Sequence, residues 1–111
     1  MTTVYLAEHF IAQLNERIEY TETGVSNTTL LKLPHCQYRL LCLAAKTEIA
    51  QHTSPLHAVV HVLEGQGTLT LHGQDIALEP GVMVLMQAHA PHALKATTNL
   101  AFLLTLSDVE Q

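Results

Sequence analysis

Residues 52–67 read HTSPLHAVVHVLEGQG and residues 81–96 read GVMVLMQAHAPHALKA. The first stretch carries a branched apolar run, Val59–Glu64, closed by Gly65-Gln66-Gly67, the pattern of a strand that ends in a tight turn. The second leaves the turn Glu79-Pro80-Gly81, runs through Val82–Gln87, breaks at Ala88–Pro91 and resumes as His92–Lys95. Between them Thr68–His72 alternates Thr and Leu, turns at Gly73-Gln74-Asp75 and returns as Ile76–Leu78. Working outward, Val25–Lys32, a turn spanning Leu33 to Cys36, the strand Tyr38–Ala45 and a last strand Leu100–Leu106 complete the series. Short strands separated by Gly or Pro turns about every 8–12 residues predict an all-β sandwich or closed barrel.

Both alternating sets of Tyr38–Ala45 are apolar: Tyr38, Leu40, Cys42 and Ala44 on one face, Leu41, Leu43 and Ala45 on the other. Such a strand is covered on both sides. One face fills the barrel; the other calls for an N-terminal helix or a second subunit. Leu6, Phe10, Ile11, Leu14 and Ile18 fall at helical spacings within residues 4–18, which predicts one short amphipathic helix ending before Gly24.

The 111 residues suffice for one domain with one modest core. We expect a helical lead-in over about residues 1–22 and a barrel over 25–107. Apolar residues make up 48% of the chain and charged residues 14%, a balance that disfavours disorder and leaves little to coat the outside. A homodimer is the expected cover. The net charge is −5, and Arg17, Lys32, Arg39, Lys46 and Lys95 are scattered singly, so neither nucleic acid nor an anionic membrane surface is an expected partner. The opening MTTVYLAEHF shows no signal-peptide pattern and Cys36 and Cys42 form no disulfide framework; the expectation is a cytoplasmic chain with reduced thiols.

Taken together, the two stretches resemble the paired motifs of the cupin superfamily, and the lead-in IEYTETGVSNTTLLKL is similar to that of its small single-domain members. The resemblance implies a double-stranded β-helix, or jelly-roll, barrel. It also implies a metal-binding histidine cluster. Counting back from Gly65, His52 falls on the family's first metal histidine, Ser54 on the second and Ala58 on its Glu or Gln ligand. In the second motif Gly81 and His92 are kept, while Gln87, His89 and Ala96 stand where Pro, Gly and Asn are usual. His52 and His92 are thus the residues carried over.

A metal site needs several lone-pair donors at about 2.0–2.2 Å, and imidazole suits Zn, Fe, Cu and Ni; the divalent ion expected here is Zn, Fe, Ni or Mn. The third candidate donor is His57. A bend or bulge at Ser54-Pro55-Leu56 brings it inward; strict alternation instead puts Ala58, Val60 and Val62 inside and sends His57 and His61 out. Both registers stand open at this point. His89 reads as a turn residue, His61 as a solvated or interface residue, and His9, His35 and His72 as helix, turn and hairpin residues. No carboxylate pair lies in the two motifs, and no nucleophile elbow or Gly-rich phosphate loop is present; no organic cofactor is expected. The leading expectation is a small-molecule-binding barrel holding a divalent metal on His52, His57 and His92, in the manner of a metal-dependent oxygenase or isomerase. The alternatives are a metal-free binding or sensing module and a purely structural dimerisation barrel.

Overall fold

Alternate residues of the strand His57–Glu64 decide the inside of the molecule: Ala58, Val60 and Val62 are buried, whereas His61 is exposed. In Cys36–Leu43 the same alternation sends Leu41 and Leu43 to the inner core and Leu40 and Cys42 to an outer one. The computed structural model describes residues 4–6 and 9–109. Among these the strands are β1 (Val4–Leu6), β2 (His9–Ile11), β3 (Val25–Lys32), β4 (Cys36–Leu43), β5 (Glu48–His52) and β6 (His57–Glu64). They continue as β7 (Gly67–Leu71), β8 (Gln74–Leu78), β9 (Met83–Met86), β10 (His92–Ala96) and β11 (Leu100–Ser107).

Two antiparallel sheets face each other, one ordered β5-β10-β7-β8 and the other β3-β4-β11-β6-β9, with β1 and β2 as a separate pair. This is an all-β jelly-roll. Phe102, Leu43, Leu69, Leu78, Leu100, Val60 and Val62 fill the space between the sheets with almost no exposure. The glycine turn of the first motif is fixed by contact as well as by angle. Gly65 has φ +88°, and a Cβ there would collide with the Asn99 carbonyl; one at Gly67 would meet the Lys95 carbonyl.

The expected helix over residues 4–18 is not what the chain forms. Residues 7 and 8 lie outside the described residues; around them β1 pairs with β2, and one turn of 3-10 helix follows at Leu14–Arg17. Phe10, Leu14, Ile18 and Tyr20 pack on Leu30, Leu40, Cys42 and Ala101, so the segment lies as a strap over the outer face of the larger sheet. Its apolar spacing serves that face without a helix, because tertiary burial outweighs the weak preference of an isolated short helix. The strand β5 was not expected. Its sequence EIAQH has a single half-buried apolar side chain, Ile49, and therefore no legible alternation. No helix among the described residues is long and apolar enough to cross a membrane.

Candidate histidine site in the barrel

His52 ends β5 and His92 begins β10, and the two are direct cross-strand partners. Two residues along β10 from His92, Leu94 pairs with Ile49, which is three residues back along β5. The extra residue is a bulge at Ala50-Gln51. In a regular strand Ile49 and His52 would point to opposite faces; the bulge resets the alternation so that both line the interior cavity. The sequence suggested a bulge after His52, acting on His57. The one found precedes His52 and acts on it.

The imidazole rings stand 4.2 Å apart, centroid to centroid, edge to face at 61°. His92 is buried, at 8% exposure, and His52 sits at the mouth. Each ring is tied back to its own strand: the His52 Nδ1 lies 3.1 Å from the Ala50 carbonyl oxygen and the His92 Nδ1 2.8 Å from that of Ala90. A carbonyl can only accept, so both Nδ1 atoms carry the proton. In the neutral ring this leaves the Nε2 lone pair of each histidine free. The cavity they line measures about 270 Å³ and is otherwise walled by Leu41, Ile49, Val60, Met86, Phe102 and their apolar neighbours, with Asn27 as a further polar group. It falls just under the about 300–1,000 Å³ of drug-sized ligand sites, which suits a smaller occupant.

The structure brings His52 and His92 together and does not bring His57 to them. His57 follows the strict alternation of β6 and points outward. Its Nδ1 accepts a hydrogen bond from the Ala88 N–H at 3.0 Å, so that nitrogen's lone pair is used and its proton, in the neutral ring, sits on Nε2. The ring lines an open groove of about 1200 Å³ with His35, Cys36, Pro55 and Asp108. This groove is the larger concavity, but it is separated from the histidine pair by the sheet. His61 is exposed on the outer face beside Met83. His89 and His72 adopt left-handed backbone, with φ of 70° and 50°, as turn residues; His9 is in β2 rather than a helix.

Among the described residues no group of three or more His, Cys, Asp or Glu stands close enough to hold a metal ion. A resident catalytic zinc takes about three protein donors, and the pair supplies two. The donors present therefore fall short of a metal held by the protein alone. A residue that sequence reading passed over is Arg39, on the inward side of β4; no motif marks it, because its position is set by cross-strand register.

A family model described as Cupin domain matches residues 39–106. No functionally curated protein matches the chain. Among solved structures, a conserved protein of unknown function from Streptococcus pyogenes superposes with TM-score 0.82 at 24% identity, covering 99% of this chain and 95% of that one. A cupin superfamily protein from Desulfitobacterium hafniense gives 0.81 at 22% identity over 86% and 88%. Salicylate 1,2-dioxygenase from Pseudoaminobacter salicylatoxidans with gentisate gives 0.73 at 22% identity, over 85% of this chain and 28% of that one. At these identities the likenesses speak to the fold. The family match spans more than half of the 111 residues, and with the paired motifs and the jelly-roll it shows that this chain belongs to the cupin family.

Proposed function

We propose that this chain is a small-molecule-binding cupin whose ligand enters the barrel and is oriented by the pair His52 and His92. One observation carries the reading: two rings 4.2 Å apart on the wall of an apolar cavity, each with Nδ1 fixed by a backbone carbonyl. Two Nε2 lone pairs accept hydrogen bonds from a ligand O–H or N–H, while the apolar walls supply contact area. The protein works as a homodimer in this reading.

A second reading follows from the same free lone pairs. A divalent ion such as Zn, Fe, Ni or Mn would rest on the two Nε2 atoms, with its remaining donors drawn from ligand and water, and would supply Lewis-acid chemistry of the oxygenase or isomerase kind. The dioxygenase relative supports this only through shared fold. His57 stands outside both readings.

The two are separated by thermal-shift titrations of protein made without a histidine tag, with a panel of small polar aromatics and aliphatics and with the four metals. A ligand that binds the folded state raises its stability by mass action. Stabilisation by small molecules that disappears in His52→Ala and in His92→Ala, and persists in His72→Ala, is the expected result. The double variant should lose little more than the worse single one, because both groups act on one centre. Metal shifts that follow the same pattern select the second reading. Ligand shifts that survive both substitutions sink the site.

A further inference from the structure

Arg39 lies two residues before Leu41 on β4, on the same face, and its direct partner on β11 is Leu104; Leu41 and Leu104 both line the cavity. Its other cross-strand partner is Thr29 on β3. The side chain is half-buried, and its Nε is buried with no hydrogen-bond partner. Among the described residues the one ion pair is His35–Asp108, so no carboxylate among them pairs with Arg39. No Asp or Glu lines the cavity. A guanidinium has five N–H donors and no acceptor, and stays charged throughout the accessible pH range. Leaving one of its N–H groups buried and unpaired is unfavourable, and a planar two-oxygen acceptor is the group that relieves it.

Arg17 also has a buried, unpartnered Nε, but it lines a separate pocket beside Glu16 and Glu19. There two carboxylate side chains share the pocket, whereas no Asp or Glu lines the cavity next to Arg39, in a chain whose net charge is −5. A cation with no carboxylate partner among the described residues, on the strand face next to the cavity-lining Leu41 and Leu104, is therefore a local exception to the molecule's overall sign.

We propose that Arg39 makes the barrel cavity a site for small organic acids: its guanidinium binds the ligand carboxylate while the ligand's apolar body lies against Leu41, Phe102 and Leu104. This rests on the reading of the cavity as a small-molecule site and names the substrate class it takes. The histidine pair, on the opposite sheet, is left to meet the remainder of the ligand.

The test uses matched probes, benzoate with benzamide and hexanoate with hexanamide, titrated by calorimetry into the parent protein and into Arg39→Gln, Arg39→Met and Arg17→Gln. The parent should bind each acid at least ten-fold tighter than its amide. In both Arg39 variants the acids should fall to the level of the amides, while amide affinity stays at the parent value and reports an intact cavity. Arg17→Gln should match the parent. Acid affinity unchanged in the Arg39 variants, or acids and amides bound equally by the parent, overturns the role of Arg39 and leaves the cavity reading intact. Failure of all four probes to bind the parent overturns the cavity reading itself.

Discussion

Tyr20 ties the N-terminal strap to the barrel through one hydrogen bond, its hydroxyl donating to Glu64 Oε2 at 2.6 Å. Burial first, and then the Glu64 carboxylate as hydrogen-bond acceptor and as charge, push the phenol well above its ordinary value of 10.0. The folded state therefore holds this proton more tightly than the unfolded chain. The resulting stability is present in full below pH 10 and is lost as pH rises further, because the unfolded chain ionises first. Tyr20→Phe should cost about 1 kcal/mol at neutral pH, at the low end for a charge-assisted bond because the site is partly solvated. It should also remove part of the alkaline loss: between pH 9 and pH 10.5 the urea midpoint of the variant should fall less than the parent's. Equal slopes would mean that Tyr20 does not carry the effect. At this scale His52 and His92 were legible in the sequence, since the motifs mark them. The inward turn of His52 was not, because it depends on a bulge at Ala50-Gln51 that no Gly or Pro announces. His57 was left open between two registers, because the Ser54-Pro55-Leu56 segment could have shifted the strand; the structure keeps strict alternation, with Ala58, Val60 and Val62 inside. Arg39 had no signal at all, since its place beside the cavity follows from pairing with Leu104.

Strands bounded by turn residues were readable to within two residues: the expected Tyr38–Ala45 is found as Cys36–Leu43 and Ile76–Leu78 as Gln74–Leu78. Val25–Lys32 is β3 as expected, and the Gly73 and Pro80-Gly81 turns close β7 and β8 where the sequence put them. The N-terminal segment misled because Phe10, Leu14 and Ile18 keep a helical spacing while packing against a flat sheet face. The glycine turn between β6 and β7 offers a test of what such punctuation costs. Gly24 and Gly65 both have positive φ, +83° and +88°, but a Cβ at Gly24 meets nothing within 4 Å whereas one at Gly65 strikes backbone of Asn99 and Leu100. Gly24→Ala should cost about 1–2 kcal/mol, the strain of a left-handed residue with a side chain. Gly65→Ala should cost about 3 kcal/mol or more, since collision with backbone adds to that strain. Denaturant unfolding of both variants checks the difference. Equal costs would show that conformation alone, and not the approach of the Asn99 carbonyl, makes glycine necessary at the end of β6.

The whole molecule is short of charge, at 14% of residues, and one face shows where that shortage falls. β9 is the edge strand of the larger sheet, so one side of its backbone has no strand partner among the described residues. Met83 is 70% exposed and Leu85 57%, next to His61 and Val59 of β6. No Asp, Glu, Lys or Arg occurs in residues 57–63 or 82–87. Exposed edges with apolar side chains invite pairing unless they are blocked by charge or proline, and here neither block is present. In the homodimer proposed above, two copies, each with net charge −5, would meet across this neutral face without bringing like charges together, and a two-fold axis would set β9 antiparallel to β9. Light scattering at micromolar concentration should give twice the chain mass of 12.2 kDa. Leu85→Lys places a charge in the centre of the contact and should weaken self-association by on the order of 30-fold or more, the effect of losing a central anchor worth about 2 kcal/mol. Because Leu85 faces away from the cavity, ligand binding by the resulting monomer should match the parent. A parent that runs as a monomer, or a Leu85→Lys variant that stays dimeric, would show that this face is not the interface. Loss of ligand binding together with the dimer would show instead that the barrel mouth depends on the partner subunit.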